Sequence, residues 1–161
     1  PLADTLEGFD RLREQGKIRD WGVSNFDVSD MQELFSLPGG KACAANQVLY
    51  NPEHRGVEFD LLPWCERNGV GVMAYSPVGQ GGDLLQAPVL LQIARKYGVT
   101  TAQVALAWCL RQPVQAIPKA GSIAHVEENA AAVQLKLEDE DLQKIETAFP
   151  GPKKKVHLAT L

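Results

Sequence analysis

Four times along the 161 residues a short apolar stretch is followed by an amphipathic, helix-patterned one, and this alternation constrains the fold more than anything else in the sequence. Strand patterns fall at residues 18–24, 45–50, 70–75 and 114–117. A helix pattern at residues 4–15 precedes the first strand, with Leu6, Phe9 and Leu12 on one face and Gly16 as its stop. Asp27 or Ser29 caps a helix running to Leu37, and Asp60 to Asn68 reads as a third, stopped by Gly69. Residues 76–86 contain three glycines and read as a loop. Helices then follow at 89–97 and at 101–111, the second capped by Thr100 and buried through Val104, Leu106, Ala107 and Leu110. After the fourth strand come helices at 125–133 and 139–149, the latter opened by an acidic turn that suits the helix dipole. The third strand, Val70 to Tyr75, is nearly all apolar, which predicts cover on both faces.

Alternating βα units imply a parallel sheet with right-handed crossovers. Each unit here takes about 40 residues, and a complete (β/α)₈ barrel takes about 250, so four units make half of one. Four strands cannot close a barrel, and they leave two raw edges and an open inner face. Three arrangements follow: an open doubly wound sheet, a half-barrel that pairs with another half or a second copy, or a fragment whose other half lies elsewhere. No composition shift or linker divides residues 1–161, so one domain is expected.

The polar residues gather at the strand C-termini, where parallel α/β folds bind ligands. The first strand ends in Gly22-Val23-Ser24-Asn25-Phe26, and the second carries Asn46-Gln47 and exits at Tyr50-Asn51. The third ends in Ala74-Tyr75-Ser76-Pro77 and enters the glycine-rich loop; the fourth ends in Ile117-Pro118-Lys119-Ala120-Gly121. Each alone has a bland reading: Ser24-Asn25 as a turn pair, Gln47 as a satisfied strand residue, Tyr75 as core, Lys119 as surface. The loop matches neither GxGxxG nor GxxxxGK[ST]. Together, an amide-and-hydroxyl set, an aromatic face, a glycine loop and a lysine at successive strand ends suit a dinucleotide.

The segments Gly-Lys-Ile-Arg-Asp-Trp-Gly-Val-Ser-Asn-Phe (16–26), Asn-Gln-Val-Leu-Tyr-Asn (46–51), Ala-Tyr-Ser-Pro (74–77) and Ala-Ile-Pro-Lys (116–119) resemble, in that order, motifs of the aldo-keto reductases. The resemblance runs from residue 1 to about 155 and corresponds to strands five to eight of that family's (β/α)₈ barrel, in a bacterial-type, short-tailed member. It implies a nicotinamide site. Ser24, Asn25 and Gln47 would meet the carboxamide and Tyr75 one ring face. Backbone from Ser76 through Gly82, with Pro77, Val78, Gly79 and Gly81 singled out, would wrap the pyrophosphate, where glycine permits close approach. Lys119 would meet the 2′-phosphate of NADP(H), and Glu128 and Asn129 the adenine end. Ala120 and His125 depart from the serine or threonine and the arginine common in the family, so NAD(H) stays open as an alternative. The resemblance also implies reduction of small aldehydes and ketones by an Asp, Tyr, Lys and His set. No motif here carries that set, so it is expected upstream of Pro1, and the chain alone is expected to be inactive.

Charge and composition narrow the partners. The net charge is −4 with Lys and Arg dispersed, which disfavours nucleic acid. The basic run Lys153–Lys155 reads as a solvated tail, and the tail beyond Pro152 is expected to fold over the substrate mouth. No apolar run reaches the ~18 residues of a membrane span. The first residue is not Met and no signal-peptide pattern follows, so preceding chain is expected. Cys43, Cys65 and Cys109 are odd in number and set in apolar stretches, as suits buried free thiols in a reducing cytoplasm, and no spacing suggests a metal.

Overall fold

In the computed structural model, which describes residues 1–161, four parallel strands pair in the order β1-β2-β3-β4. These are β1 (Trp21–Ser24), β2 (Cys43–Leu49), β3 (Gly71–Tyr75) and β4 (Val114–Ala116). The helices are α1 (Leu2–Glu14), α2 (Val28–Ser36), α3 (Leu61–Asn68), α4 (Pro88–Tyr97), α5 (Thr101–Cys109), α6 (Ile123–Ala131) and α7 (Asp139–Ala148). The strand order follows the chain without reversal. A doubly wound sheet reverses its order at a switch point, so that arrangement is ruled out and the progression of a barrel wall remains.

Burial follows the two faces of this wall. Asn46, Val48, Val72 and Ala74 alternate along β2 and β3 and are buried, all but Asn46 within the core of 24 residues that includes Leu61, Leu90, Val104 and Trp108. Their neighbours Gln47, Met73 and Tyr75 are half-buried and Gly71 is exposed, while Leu49 at the end of β2 is buried. The expectation that β3 is covered on both faces therefore fails: helices cover one face, and the barrel-interior face lies open. No helix is long and apolar enough to cross a membrane.

Local chemistry explains the element ends. Gly16 takes φ +66°, and the N–H groups of Gly16 and Lys17 bond back to the Arg13 and Leu12 carbonyls, closing α1. The same paired bonds close α4 at Gly98 and Val99. Asp27, not Ser29, caps α2 through a reciprocal bond pair with Asp30. Thr100 and Gln103 do the same for α5.

Several boundaries differ from the sequence pattern. Residues 18–20 are not strand, because the Arg13 side chain takes the Arg19 carbonyl and the ladder begins at Trp21↔Cys43. The loop at 76–86 contains 3₁₀ turns at Gly79–Gly81 and Asp83–Gln86. Helix α6 starts at Ile123, two residues earlier than expected, because the Ser122 hydroxyl accepts the His125 N–H. In α5, Ala105, Trp108 and Cys109 are buried as well as Val104 and Leu106, whereas Ala107 is half-buried and Leu110, the residue after the helix ends at Cys109, is exposed. The three cysteines are free and buried, as expected.

The basic run is not wholly a solvated tail. Lys155 Nζ bridges Asp27 Oδ1 and Asp60 Oδ1 (2.8 Å to the latter), pinning the tail between the loop after β1 and the start of α3. Leu158 packs against the core beyond it.

Candidate functional site

Strand register brings the candidate residues together along the C-terminal ends of the sheet. Ser24 pairs with Gln47, and two residues on, Leu49 pairs with Tyr75. The Gln47 carbonyl accepts both the Ser24 hydroxyl at 3.0 Å and the Asn25 N–H at 2.8 Å. Ser24, Asn25 and Gln47 are thus one rigid group at adjacent strand ends. Ser24 and Asn25 are exposed, and Gln47 and Tyr75 are half-buried on the open face.

Two of these strand ends carry left-handed non-glycine residues, Asn25 with φ +57° and Ser76 with φ +47°. Such residues cost of order 1 kcal/mol and persist only where their surroundings hold them. The holding groups are two buried asparagines that the sequence reading did not place in the site. Asn46 Nδ2 donates to the Phe26 carbonyl at 2.7 Å, and Asn51 Nδ2 donates to the Ser76 carbonyl at 2.9 Å. A polar residue inside an otherwise apolar strand was the available signal for Asn46; Asn51 was marked only as the exit of its strand.

Beside this row a cavity of about 800 Å³ opens between the glycine loop and α6. Of the residues that the resemblance assigns to a cofactor, Ser76, Pro77, Val78, Gly81, Lys119, His125, Glu128 and Asn129 line it. Gln80, which falls within the loop run assigned to the pyrophosphate, lines it too, as do Ile117, Gly121 and Ser122, to which the sequence reading gave no role. Ser24, Asn25, Gln47, Tyr75, Gly79 and Ala120 lie outside the cavity wall. Gly79 takes φ +60° with Leu84 packed where a Cβ would stand, so it shapes the loop from behind. Ala120 and Lys119 are exposed, and Lys119 Nζ stands 3.8 Å from the position a Gly121 Cβ would take.

Lys119 and the first turn of α6 border the cavity on one side and the glycine loop on the other, and a lysine and a helix N-terminus are groups that favour an anion. Glu128 is already engaged: its carboxylate accepts the Thr100 hydroxyl and its carbonyl accepts Gln103 Nε2 at 3.1 Å. The tie fixes α6 against the start of α5 and turns that carboxylate away from full availability.

Two of the three tyrosines are committed elsewhere. Tyr50 is fully buried and donates to Glu58 Oε1 at 2.6 Å; burial and that neighbouring carboxylate push its phenol well above the ordinary value. The Tyr97 hydroxyl donates to Asp141 Oδ2 at 2.8 Å and accepts the Glu138 N–H. Neither phenol reaches the strand-end row.

The sequence profile of the aldo/keto reductase family matches residues 1–149. Methylglyoxal reductase YeaE of Escherichia coli is 49% identical over 162 residues, covering 98% of this chain and 57% of that protein. Glyoxal reductase of Bacillus subtilis is 38% identical, covering 89% and 50%. Among solved structures, an aldo-keto reductase from Klebsiella pneumoniae in complex with NADPH superposes with a TM-score of 0.97 at 45% identity, over 100% of this chain and 58% of that one. The chain therefore spans 50% to 58% of the length of these relatives. The profile match, the identities and the sequential parallel wall agree: the chain belongs to the aldo/keto reductase family.

Proposed function

We propose that this chain is the cofactor-binding half of an NADP(H)-dependent reductase of small aldehydes, ketones or dicarbonyls. One observation carries the reading. The rigid Ser24-Asn25-Gln47 group continues past Tyr75 into a cavity walled by the glycine loop, Lys119 and the α6 N-terminus. An amide-recognising end, an aromatic face and an anion-binding end stand in the order a nicotinamide dinucleotide requires. A Klebsiella pneumoniae relative is described in complex with NADPH and, in a second structure, with NADP and acetate. Two relatives are named for methylglyoxal and glyoxal, which points the substrate class toward small dicarbonyls.

In this reading Gln47 and Asn25 supply complementary amide donors and acceptors, and Ser24 is oriented by its bond to the Gln47 carbonyl. Tyr75 covers one face of the ring and leaves the other open. Backbone N–H groups of residues 76–82 hold the pyrophosphate. Lys119 meets a 2′-phosphate as a point charge, and His125 adds a hydrogen-bonding group at the same end. Glu128 and Asn129 border the adenine end. A bound reduced nicotinamide supplies the hydride for the carbonyl carbon. Protonation of the carbonyl oxygen needs a general acid that neither Tyr50 nor Tyr97 can provide, since both hydroxyls are tied to carboxylates away from the row. The family resemblance puts the Asp, Tyr, Lys and His set in the first half of the barrel, and in this reading the 161-residue chain alone turns over no carbonyl.

Titrating the chain with NADPH while following its tryptophan fluorescence tests binding; no quenching at millimolar cofactor would remove the reading. Adding methylglyoxal and following NADPH absorbance tests the division of labour, and turnover at an ordinary enzymatic rate would overturn it. The open edges of β1 and β4 and the uncovered inner face favour a second reading, a half-barrel that associates with another half or with its own copy. Light scattering separates the two, because a monodisperse monomer argues against self-pairing.

A further inference from the structure

We infer that Asn51 is the positioning residue of the glycine-rich loop: its side-chain amide fixes the left-handed turn at Ser76 from which that loop departs. Ser76 follows the last residue of β3 with φ +47°, a conformation a serine avoids unless held. Its carbonyl is the anchor point of the loop. It accepts the Gly79 N–H at 3.0 Å, closing the first turn, and Asn51 Nδ2 at 2.9 Å. The next bonds, Gly81 N–H to Val78 and Gly82 N–H to Gly79, build on that turn. A carbonyl fixed from two directions sets where every later N–H group of the loop points.

Asn51 is itself built to stay in place. The residue is 1% exposed, and its Oδ1 accepts the backbone N–H groups of Glu53 at 2.9 Å and His54 at 3.0 Å. His54 Nδ1 lies 3.1 Å from the same oxygen. One half of the amide thus holds its own turn while the other half reaches a strand end 25 residues away. The same device stands one strand over, where buried Asn46 donates to the Phe26 carbonyl beside left-handed Asn25. Leaving the buried Asn51 amide without its acceptor would be costly, so the clamp is stable as well as directional.

The consequence for cofactor affinity rests on the function proposed above; the loop geometry does not, and the test separates them. Amide hydrogen exchange is measured on the isotope-labelled 161-residue chain without cofactor, followed by NADPH titration. In the unmodified chain the Asn51 side-chain amide protons exchange slowly; fast exchange overturns the inference without any variant. Asn51→Asp keeps the Oδ1 acceptor of the local turn and removes the donor to Ser76. It is expected to speed exchange at Gly79, Gly81 and Gly82 about tenfold while the strand amides keep their protection. Asn51→Ala is expected to do the same, and Asn51→Ala with Ser76→Gly to recover most of the protection, because glycine holds a positive φ unaided. A merely structural Asn51 would not be rescued at Ser76, so absent rescue overturns the positioning role. Where the unmodified chain binds NADPH, the single variants raise its Kd about tenfold and the double variant reverses this. Altered exchange in a chain that never binds NADPH supports the clamp and removes the proposed function instead.

Discussion

Arg55 Nη1 lies 2.7 Å from Glu146 Oε2, joining the exit turn of β2 to the last helix across 91 residues. The guanidinium is 7% exposed, also forks onto Glu58 and donates to the Phe149 carbonyl. Arg55 and Arg111 lie against the Trp108 ring, 5.2 and 4.3 Å from its centre. One side chain therefore closes the helical layer around the loop that carries Asn51. Removing one partner of a buried ion pair strands the other, so Arg55→Ala is expected to cost about 3 kcal/mol. In a chain of this size that lowers the melting temperature by about 6–12 °C. Arg55→Lys should recover only part, because an ammonium cannot fork onto three acceptors. Urea and thermal unfolding check both, and a loss in the range of a surface pair, under about 1 kcal/mol, would refute the hub role.

Acid should unfold the chain through Asp141 and Glu146. Burial alone would raise both carboxyls. Bonds from Lys96 (2.6 Å) and Tyr97 (2.8 Å), with the charges of Lys96 and Lys144, outweigh it at Asp141 and hold it below the ordinary carboxylate value. At Glu146 the Gly151 N–H and Arg55 do the same. Because the folded-state values are depressed, their stabilisation is fully present above the ordinary carboxylate range. It is lost as pH falls through the lowered folded values. Urea unfolding at a series of pH values from 7 to 3 should show this loss, and Asp141→Asn should be less stable at pH 7 with a shallower acid slope. An unchanged slope in that variant counts against the assignment.

Burial pushes the Cys65 thiol up to about 11 and the Cys109 thiol up to about 12, and raises Cys43 as well. Little thiolate exists at pH 8, and the sulfurs are enclosed. A native-state titration with a disulfide reagent should detect almost no reaction within minutes and three equivalents after denaturation. Rapid native reaction of even one equivalent would contradict the packing.

Lys155 should control the tail rather than the core. Its ammonium holds Asp27 and Asp60, and the Asp27 carboxylate also caps α2 directly after Asn25-Phe26. Lys155→Met should speed hydrogen exchange and proteolysis within residues 152–161 and leave the melting temperature nearly unchanged. Molar salt should do the same to the parent chain by screening.

Lys119→Ala should weaken NADPH by roughly tenfold, the worth of one charge-assisted hydrogen bond, and leave NADH affinity unchanged. Fluorescence titration with the two cofactors checks this, and equal losses for both would move the 2′-phosphate away from Lys119.

Legibility along the chain had a clear limit. Glycine stops at 16, 69 and 98 and the Thr100 cap act through neighbouring backbone, so a local reading found them. The start of β1 was misread because the Arg19 carbonyl is taken by an arginine six residues back. The start of α6 was misread because Ser122, not the chain near His125, supplies the cap. Lys155 read as solvated because its partners lie 95 and 128 residues away.

The sequence by itself determined the four βα units, their stops and the kinds of side chain at each strand end, since these depend on periodicity and short-range hydrogen bonds. Tertiary structure alone decided that the strands pair in chain order, which removed the doubly wound alternative and left one sheet face open. It alone set Ser24 against Gln47, and held Asn25 and Ser76 in left-handed turns through Asn46 and Asn51. Those contacts span 20 to 25 residues and exist only once parallel strands have fixed their register. No residue carries a local mark of the partner that the register will bring to it.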